Sequence, residues 1–284
     1  MRTPRRRKSL TRALTRPPFH DQQGRKGWLE PFSRAQPHIV RRLAMTIPGW
    51  PHGPRPLRIA FLSDNHTGSH AGDVERLERI VAEAAAFSPD LVLHGGDFVN
   101  MQLFGGGRVP PRVIAKILGG LSAPFGRFAV LGNHDYTYGS REVVAALREN
   151  GIAVLDDERR TIEVEGGAID LIGLPDAREE RPKGRALLSV LDKPSLVLAH
   201  DPFWFAHLPP GPHLMLAGHT HGGQIRFPLI GTLRNSSRAP LRWTYGLIEE
   251  GGRSLYVTSG LGTSGMPLRI GCPPEFAVLD VSGG

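Results

Sequence analysis

The segment Gly218-His219-Thr220-His221-Gly222-Gly223 sets two histidines one residue apart between glycines. It follows the apolar run His213-Leu214-Met215-Leu216-Ala217, and short glycine-bounded apolar runs usually end buried strands. Neutral imidazole is the commonest side-chain metal ligand. Alternation about Thr220 would send both rings to one face. Four other apolar runs end in the same grammar of Asp, Asn or His beside Gly or Pro. They are Ser63-Asp64-Asn65-His66, Gly95-Gly96-Asp97, Gly132-Asn133-His134-Asp135 and His200-Asp201-Pro202. Asp64, His66, Asp97, Asn133, His200, His219 and His221 make seven candidate ligands with no sulfur among them. That donor set suits Mn, Fe or Zn better than soft ions. Seven is too many for one ion and suits two that share a carboxylate. Ions about 3.5–4 Å apart can clamp a phosphoryl group for in-line attack.

For these side chains to meet, the runs before them must lie side by side. Leu57–Leu62, Leu91–Leu93 and Phe128–Leu131 read as buried strands. Between them, Asp73 is placed to cap a helix carrying Val74, Leu77, Ile80, Val81 and Ala84 at helical spacing, which Pro89 stops. Further helices are expected over 110–118 and from Ser140 to Leu147. Strands alternating with helices predict βαβ units and a largely parallel sheet. The second half is richer in strands: a hairpin over 161–172 turning at Gly166-Gly167, then 195–199, 213–217, 243–248, 253–257 and 276–280. The expected fold class is α/β, with mixed sheets stacked face to face and helices outside. In open α/β sheets the carboxyl ends of strands form the ligand crevice.

The ordered set Asp-x-His, Gly-Asp, Gly-Asn-His-Asp, His and Gly-His-Thr-His resembles the calcineurin-like metallophosphoesterase family over about residues 57–282. The ending Gly-His-Thr-His-Gly-Gly-Gln at 218–224 and the stretch Ser259–Gly265 are similar to a bacterial group that includes UDP-diacylglucosamine pyrophosphohydrolase-like, membrane-associated phosphodiesterases. The resemblance implies a four-layer α/β/β/α sandwich and a dinuclear site. Asp64, His66 and His221 would hold one divalent ion and Asn133, His200 and His219 the other, with Asp97 bridging. It implies hydrolysis of a phosphodiester, pyrophosphate or phosphomonoester by a metal-bridging hydroxide. His134 would assist the leaving group, and Asp135 is placed to orient His134 by a hydrogen bond. Asn65 stands where the family often has an apolar residue, and Asn100 follows Asp97 where a second carboxylate is frequent.

Composition bounds the alternatives. With 40% hydrophobic residues the chain can bury a sizeable core, and its single cysteine, Cys272, excludes an intrachain disulfide or a thiolate metal cage. The net charge of +8 is uneven: residues 1–56 carry +11 and residues 57–284 carry −3. The first 56 residues read as a basic, Pro/Gly-rich, partly disordered extension, with an edge strand or short helix over 38–47 and a linker over 48–56. Residues 57–284 read as the phosphoesterase domain. The start resembles a twin-arginine signal, but no continuous apolar region follows it, so a cytoplasmic address is expected. The extension could hold the protein on the inner face of an anionic membrane, or grip a nucleic-acid backbone. The alternatives are therefore a membrane-recruited lipid-linked nucleotide pyrophosphohydrolase and a nucleic-acid phosphodiesterase. A non-enzymatic metal-binding scaffold is disfavoured because no ligand position is lost. Arg269 and Arg242 carry the donor fork that suits phosphate. His94 reads as a buried, hydrogen-bonded histidine or a substrate contact, and Phe203-Trp204-Phe205 as core or an apolar ledge.

Overall fold

The structure, a computed structural model, describes residues 34–51, 53–101, 107–179 and 182–284. The basic stretch 1–33, and with it most of the charge assigned to a membrane or nucleic acid, lies outside the described residues.

In chain order the strands are β1 (Ile39–Ile47), β2 (Leu57–Leu62), β3 (Leu91–His94), β4 (Arg127–Ala129), β5 (Ala153–Val154), β6 (Glu158–Val164), β7 (Gly167–Leu174), β8 (Ser195–Ala199), β9 (Leu214–Ala217), β10 (Arg226–Phe227), β11 (Gly231–Thr232), β12 (Gly246–Glu250), β13 (Arg253–Val257) and β14 (Glu275–Gly283). The α-helices are α1 (Asp73–Ala86), α2 (Pro111–Leu118), α3 (Asn133–Glu149) and α4 (Pro182–Ser189). One six-stranded sheet has the order β1-β14-β2-β3-β4-β5 and the other β12-β13-β9-β8-β7-β6. Both are mixed: β2 through β5 run parallel, with the parallel pair β1 and β14 antiparallel to them on one side, and β7, β8, β9 and β13 run parallel between the antiparallel edge strands β6 and β12.

The period-two alternation within the apolar runs builds the layers. Ile59 and Phe61 on β2, Leu196 and Leu198 on β8, and Leu214 and Leu216 on β9 face the space between the sheets. Ala60 and Leu62 face outward onto Leu77, Ile80, Ile114 and Val143 of α1, α2 and α3. Val197, Ala199, Met215 and Ala217 face the other way, onto Trp204, Phe205 and Leu188. Because both faces are covered, these strands are apolar throughout rather than alternating with polar residues. The layers are α/β/β/α, as expected.

Several local expectations change. Residues 39–47 take the strand alternative, and β1 pairs with β14 along its whole length, so this part of the 1–56 segment is built into the sheet. Asp73 does not cap α1: its carboxylate accepts from the N–H groups of Gly68 and His70 in the preceding loop, and Gly72 holds the cap position. Helix α3 begins at Asn133, not Ser140. Gly139, at φ 142°, kinks it into a polar first part and the expected apolar second part. Residues 241–243 form a single turn that buries Trp243, which delays β12 to Gly246. Phe203-Trp204-Phe205 is mostly core: Trp204 and Phe205 are fully buried, and the Trp204 indole N–H donates to Pro175 O at 2.8 Å. Among the described residues no helix is long and apolar enough to cross a membrane.

Candidate metal centre

All five predicted strand exits converge. Pairing between β2 and β3 continues past the strands into the loops, where Asp64 N–H donates to Gly96 O and His66 N–H to Asp97 O, both at 2.9 Å. Gly218 N–H donates to His200 O at 3.0 Å and locks the β8 and β9 exits in the same way. Side chains more than 150 residues apart thus meet: His66 Nε2 lies 3.1 Å from His221 Nε2. His200 Nε2 lies 3.1 Å from His219 Nδ1. Asp64, His66 and His221 form one cluster of converging donor atoms, and Asp97, His200 and His219 a second.

Asp97 stands between the two. Its Oδ1 accepts the His134 backbone N–H at 2.8 Å. Its Oδ2 faces His66 Nε2 at 3.4 Å and His200 Nε2 at 3.5 Å. Asp64 links the clusters through the backbone, since both its oxygens accept from His219 N–H at 3.0 Å. His200 Nδ1 lies 2.7 Å from Gly95 O; donation there fixes the tautomer and turns the Nε2 lone pair inward. Asn133 Oδ1 and His66 Nδ1 are buried with no hydrogen-bond partner. Ring nitrogens in contact, an orphaned amide oxygen and half-faced carboxylates fit a site for divalent ions.

The electrostatics agree. Burial lowers His66 to about 3 and His221 well below the usual imidazole range, so both offer neutral nitrogens. Burial alone would raise Asp97, but the adjacent His200 outweighs it and holds the carboxyl well below its ordinary value. The same contact with Asp97 overcomes burial at His200 and holds that ring well above its ordinary range. Because a ligating imidazole must be unprotonated, binding of an ion at His200 should weaken as pH falls.

The backbone is shaped for this cluster. Asp64, His66, Asp97, His219 and His221 all have positive φ, between 39° and 66°. Such conformations cost about 1–3 kcal/mol each for non-glycine residues and concentrate at functional sites. They also replace the strand-like alternation expected about Thr220: His219 turns toward His200 and His221 toward His66. A Cβ on Gly132 would collide with the Asp97 carboxylate and lie 2.6 Å from the His200 ring. Gly132→Ala is therefore expected to displace both side chains, with metal content reduced and turnover down about 10²-fold in a protein whose circular dichroism is unchanged.

Asp135 does not orient His134. Its carboxylate accepts from the backbone N–H groups of Asp97, Phe98, Val99 and Gly132 at 2.8–3.4 Å, so it braces the loops that present Asp97 and Asn133. His134 is half-buried. Its ring meets His66 edge-on at 4.6 Å, and its Nε2 lies 3.4 Å from Ser264 Oγ. Arg269 is 3% exposed and spends its donors on the carbonyls of Ser259, Gly260, Gly262, His221 and Cys272; it clamps the Ser259–Gly265 loop and is closed to substrate. Arg242 pairs with Glu250 at the surface. His94 is buried beside Phe98, but neither ring nitrogen has a hydrogen-bond partner.

Three participants were not singled out from the sequence. Asp176 is fully buried, and its Oδ2 has no hydrogen-bond donor and lies 3.9 Å from His219 Nδ1. Its signal was present: Leu174-Pro175-Asp176 is a sixth strand exit with Asp beside Pro. Asp201 Oδ2 lies 3.9 Å from His219 Nε2. Gln224 accepts from Ser264 N–H at 2.9 Å and so fixes the residue beside His134.

The calcineurin-like phosphoesterase family profile matches residues 57–223, which span every strand exit of this centre. The chain belongs to the calcineurin-like phosphoesterase family. The phosphoesterase is 29% identical to the metallophosphoesterase YkuE of Bacillus subtilis over 86% of each chain. It is 33% identical to the phosphodiesterase YaeI of Escherichia coli, over 80% of this chain and 82% of that one. Among solved structures, the NAD nucleotidase of Haemophilus influenzae aligns with a TM-score of 0.47 and 16% identity, over 71% of this chain and 50% of that one. The phosphoesterase is thus an enzyme of the phosphoric ester hydrolase class, with Asp and His clusters that could hold metal ions.

Proposed function

We propose that this phosphoesterase is a two-metal phosphodiesterase. The observation that carries the reading is Asp97, whose one carboxylate oxygen faces both histidine clusters. Asp64, His66 and His221 would hold one Mn, Fe or Zn ion, Asn133, His200 and His219 the other, and Asp97 would be shared. Ions bound there supply positive charge that brings the pKa of water toward neutrality and draws in phosphoryl oxygens.

The chain's own side chains do the rest. In hydrolysis a water oxygen bonds to phosphorus as the bond to the leaving oxygen breaks in line. His134, at the open side of the centre, donates the proton that the leaving oxygen needs. Ser264, 3.4 Å from His134 Nε2, positions that ring, and Gln224 holds Ser264. Asp135 keeps the Asp97 and Asn133 loops in register through its four backbone contacts. Diester preference is supported by the naming of the Escherichia coli relative as a phosphodiesterase. A lipid-linked pyrophosphate is the finer substrate reading suggested by the Gly-His-Thr-His-Gly-Gly-Gln ending.

Protein reconstituted with Mn²⁺ is expected to bind two equivalents, measured by plasma mass spectrometry, and to hydrolyse bis-p-nitrophenyl phosphate faster than p-nitrophenyl phosphate. Chelation should abolish turnover and re-addition restore it. One tight equivalent with full activity would refute the two-metal reading, and a preference for the monoester would refute the diesterase.

A further inference from the structure

Large apolar side chains on a protein surface are normally scattered. Here eleven are exposed among the described residues, and eight of them fall in two short segments, 225–233 and 266–270. The segments are joined: Arg226 N–H donates to Ile270 O at 2.8 Å, and Ile270 N–H to Gln224 O at 3.0 Å. The first segment is the β10–β11 hairpin, and its tip is Phe227-Pro228-Leu229-Ile230. Leu229 is fully exposed and Ile230 is 69% exposed.

The tip is costly on two counts. It leaves bulky apolar residues in water, and it puts Leu229 at φ 66°, where turns ordinarily use Gly or Asn. A sequence that breaks local rules in this way marks a working surface.

Its charge says what that surface meets. From Pro202 to Ile248 the chain has four arginines, Arg226, Arg234, Arg238 and Arg242, and no Asp or Glu. Ser259 to Pro274 also lacks carboxylates. Arg242 is answered by Glu250, but the hairpin and its immediate flank carry Arg226 and Arg234 with no carboxylate, so a second copy docked there by two-fold symmetry would set arginine against arginine. An apolar wedge rimmed by arginine instead complements the acyl boundary and anionic headgroups of a bilayer.

The patch is wired to the metal centre. Thr232 Oγ1 donates to Gly222 O at 3.2 Å, and Ser236 Oγ donates to His219 O at 2.9 Å. Gln224 Nε2 donates to Met266 O at 3.1 Å, two residues from the Ser264 that faces His134.

We propose that the β10–β11 hairpin and the 266–270 loop form a docking surface for an anionic lipid bilayer, with Phe227, Leu229 and Ile230 entering the interface. Docking there holds the mouth of the centre against phosphate esters of the membrane, a consequence that rests on the phosphoesterase reading above. None of the residues of this surface belongs to the basic stretch 1–33.

The test is co-sedimentation of the full-length chain with vesicles of phosphatidylcholine alone, or with phosphatidylglycerol added. The wild-type chain is expected to partition onto the anionic vesicles at least about ten-fold more strongly than onto neutral ones, and Leu229→Asp/Ile230→Asp to lose about ten-fold or more of that binding. Turnover of soluble bis-p-nitrophenyl phosphate should be the same in both proteins, which separates this surface from the catalytic reading. Absence of wild-type binding, equal binding to neutral vesicles, or undiminished binding by the double variant would overturn the proposal. So would a wild-type dimer in sedimentation velocity that the double variant dissociates without any vesicle binding.

Discussion

Asp97→Asn is expected to leave a folded chain that holds at most one metal equivalent and has lost at least about 10³-fold in kcat/KM. The amide keeps the size of the carboxylate but offers one neutral oxygen. If that oxygen stays on the His134 N–H, as Asp97 Oδ1 does at 2.8 Å, the amide nitrogen is turned toward His66 and His200. Two N–H donors would then face the positions that ions need. If the amide flips, the His134 N–H loses its acceptor and the Asn133–Asp135 turn loosens. Either arrangement removes the shared anion. In the metal-free protein the variant also leaves the buried His200 ring without its carboxylate partner, so some loss of stability is expected as well. Lost metal in a protein whose circular dichroism is unchanged would therefore separate a ligand from a merely structural carboxylate. Retention of two equivalents by Asp97→Asn would refute the shared role.

The location of the centre was legible in the sequence for a definite reason. Strands buried on both faces must be apolar throughout, so each strand exit stands out where Asp, Asn or His follows directly. That contrast marked Asp64, Asp97, Asn133, His200 and His219, and the two sheets bring those exits together. Asp176 carries the same mark after Leu174-Pro175, but a single acid without a histidine looks like an ordinary turn.

What was not legible depends on partners far away in the chain. Asp135 is adjacent to His134, yet backbone N–H groups 36 to 38 residues away claim its oxygens. Arg269 looks like a phosphate ligand by type, but five backbone carbonyls enclose it. The positive φ at the ligands left only a faint trace in residue type, since Asp and His enter the left-handed region more readily than most residues but usually lie outside it. The apolar hairpin tip is hidden in the same way: Phe-Pro-Leu-Ile reads as core until the fold places it outside.

His134→Ala is expected to keep both metal equivalents while its rate falls by an amount that depends on the leaving group. The side chain ends 3.4 Å from Ser264 Oγ, and its Nδ1 has no hydrogen-bond partner, so little of the fold depends on the ring. The backbone N–H that binds Asp97 is untouched by the substitution. Proton donation to a leaving oxygen is worth about 10²–10⁴-fold when that oxygen departs as a strongly basic alkoxide. A p-nitrophenolate departs without help. The variant should thus lose about 10³-fold with an alkyl diester and well under ten-fold with bis-p-nitrophenyl phosphate, measured as kcat/KM on the Mn²⁺ protein. An equal loss on both substrates would mean that the ring stabilises charge on the phosphoryl group instead. A loss of metal would mean that it belongs with the neighbouring donors His66 and Asp97. Ser264→Ala should reproduce the same leaving-group dependence at smaller size, because it acts only by holding the His134 ring in place.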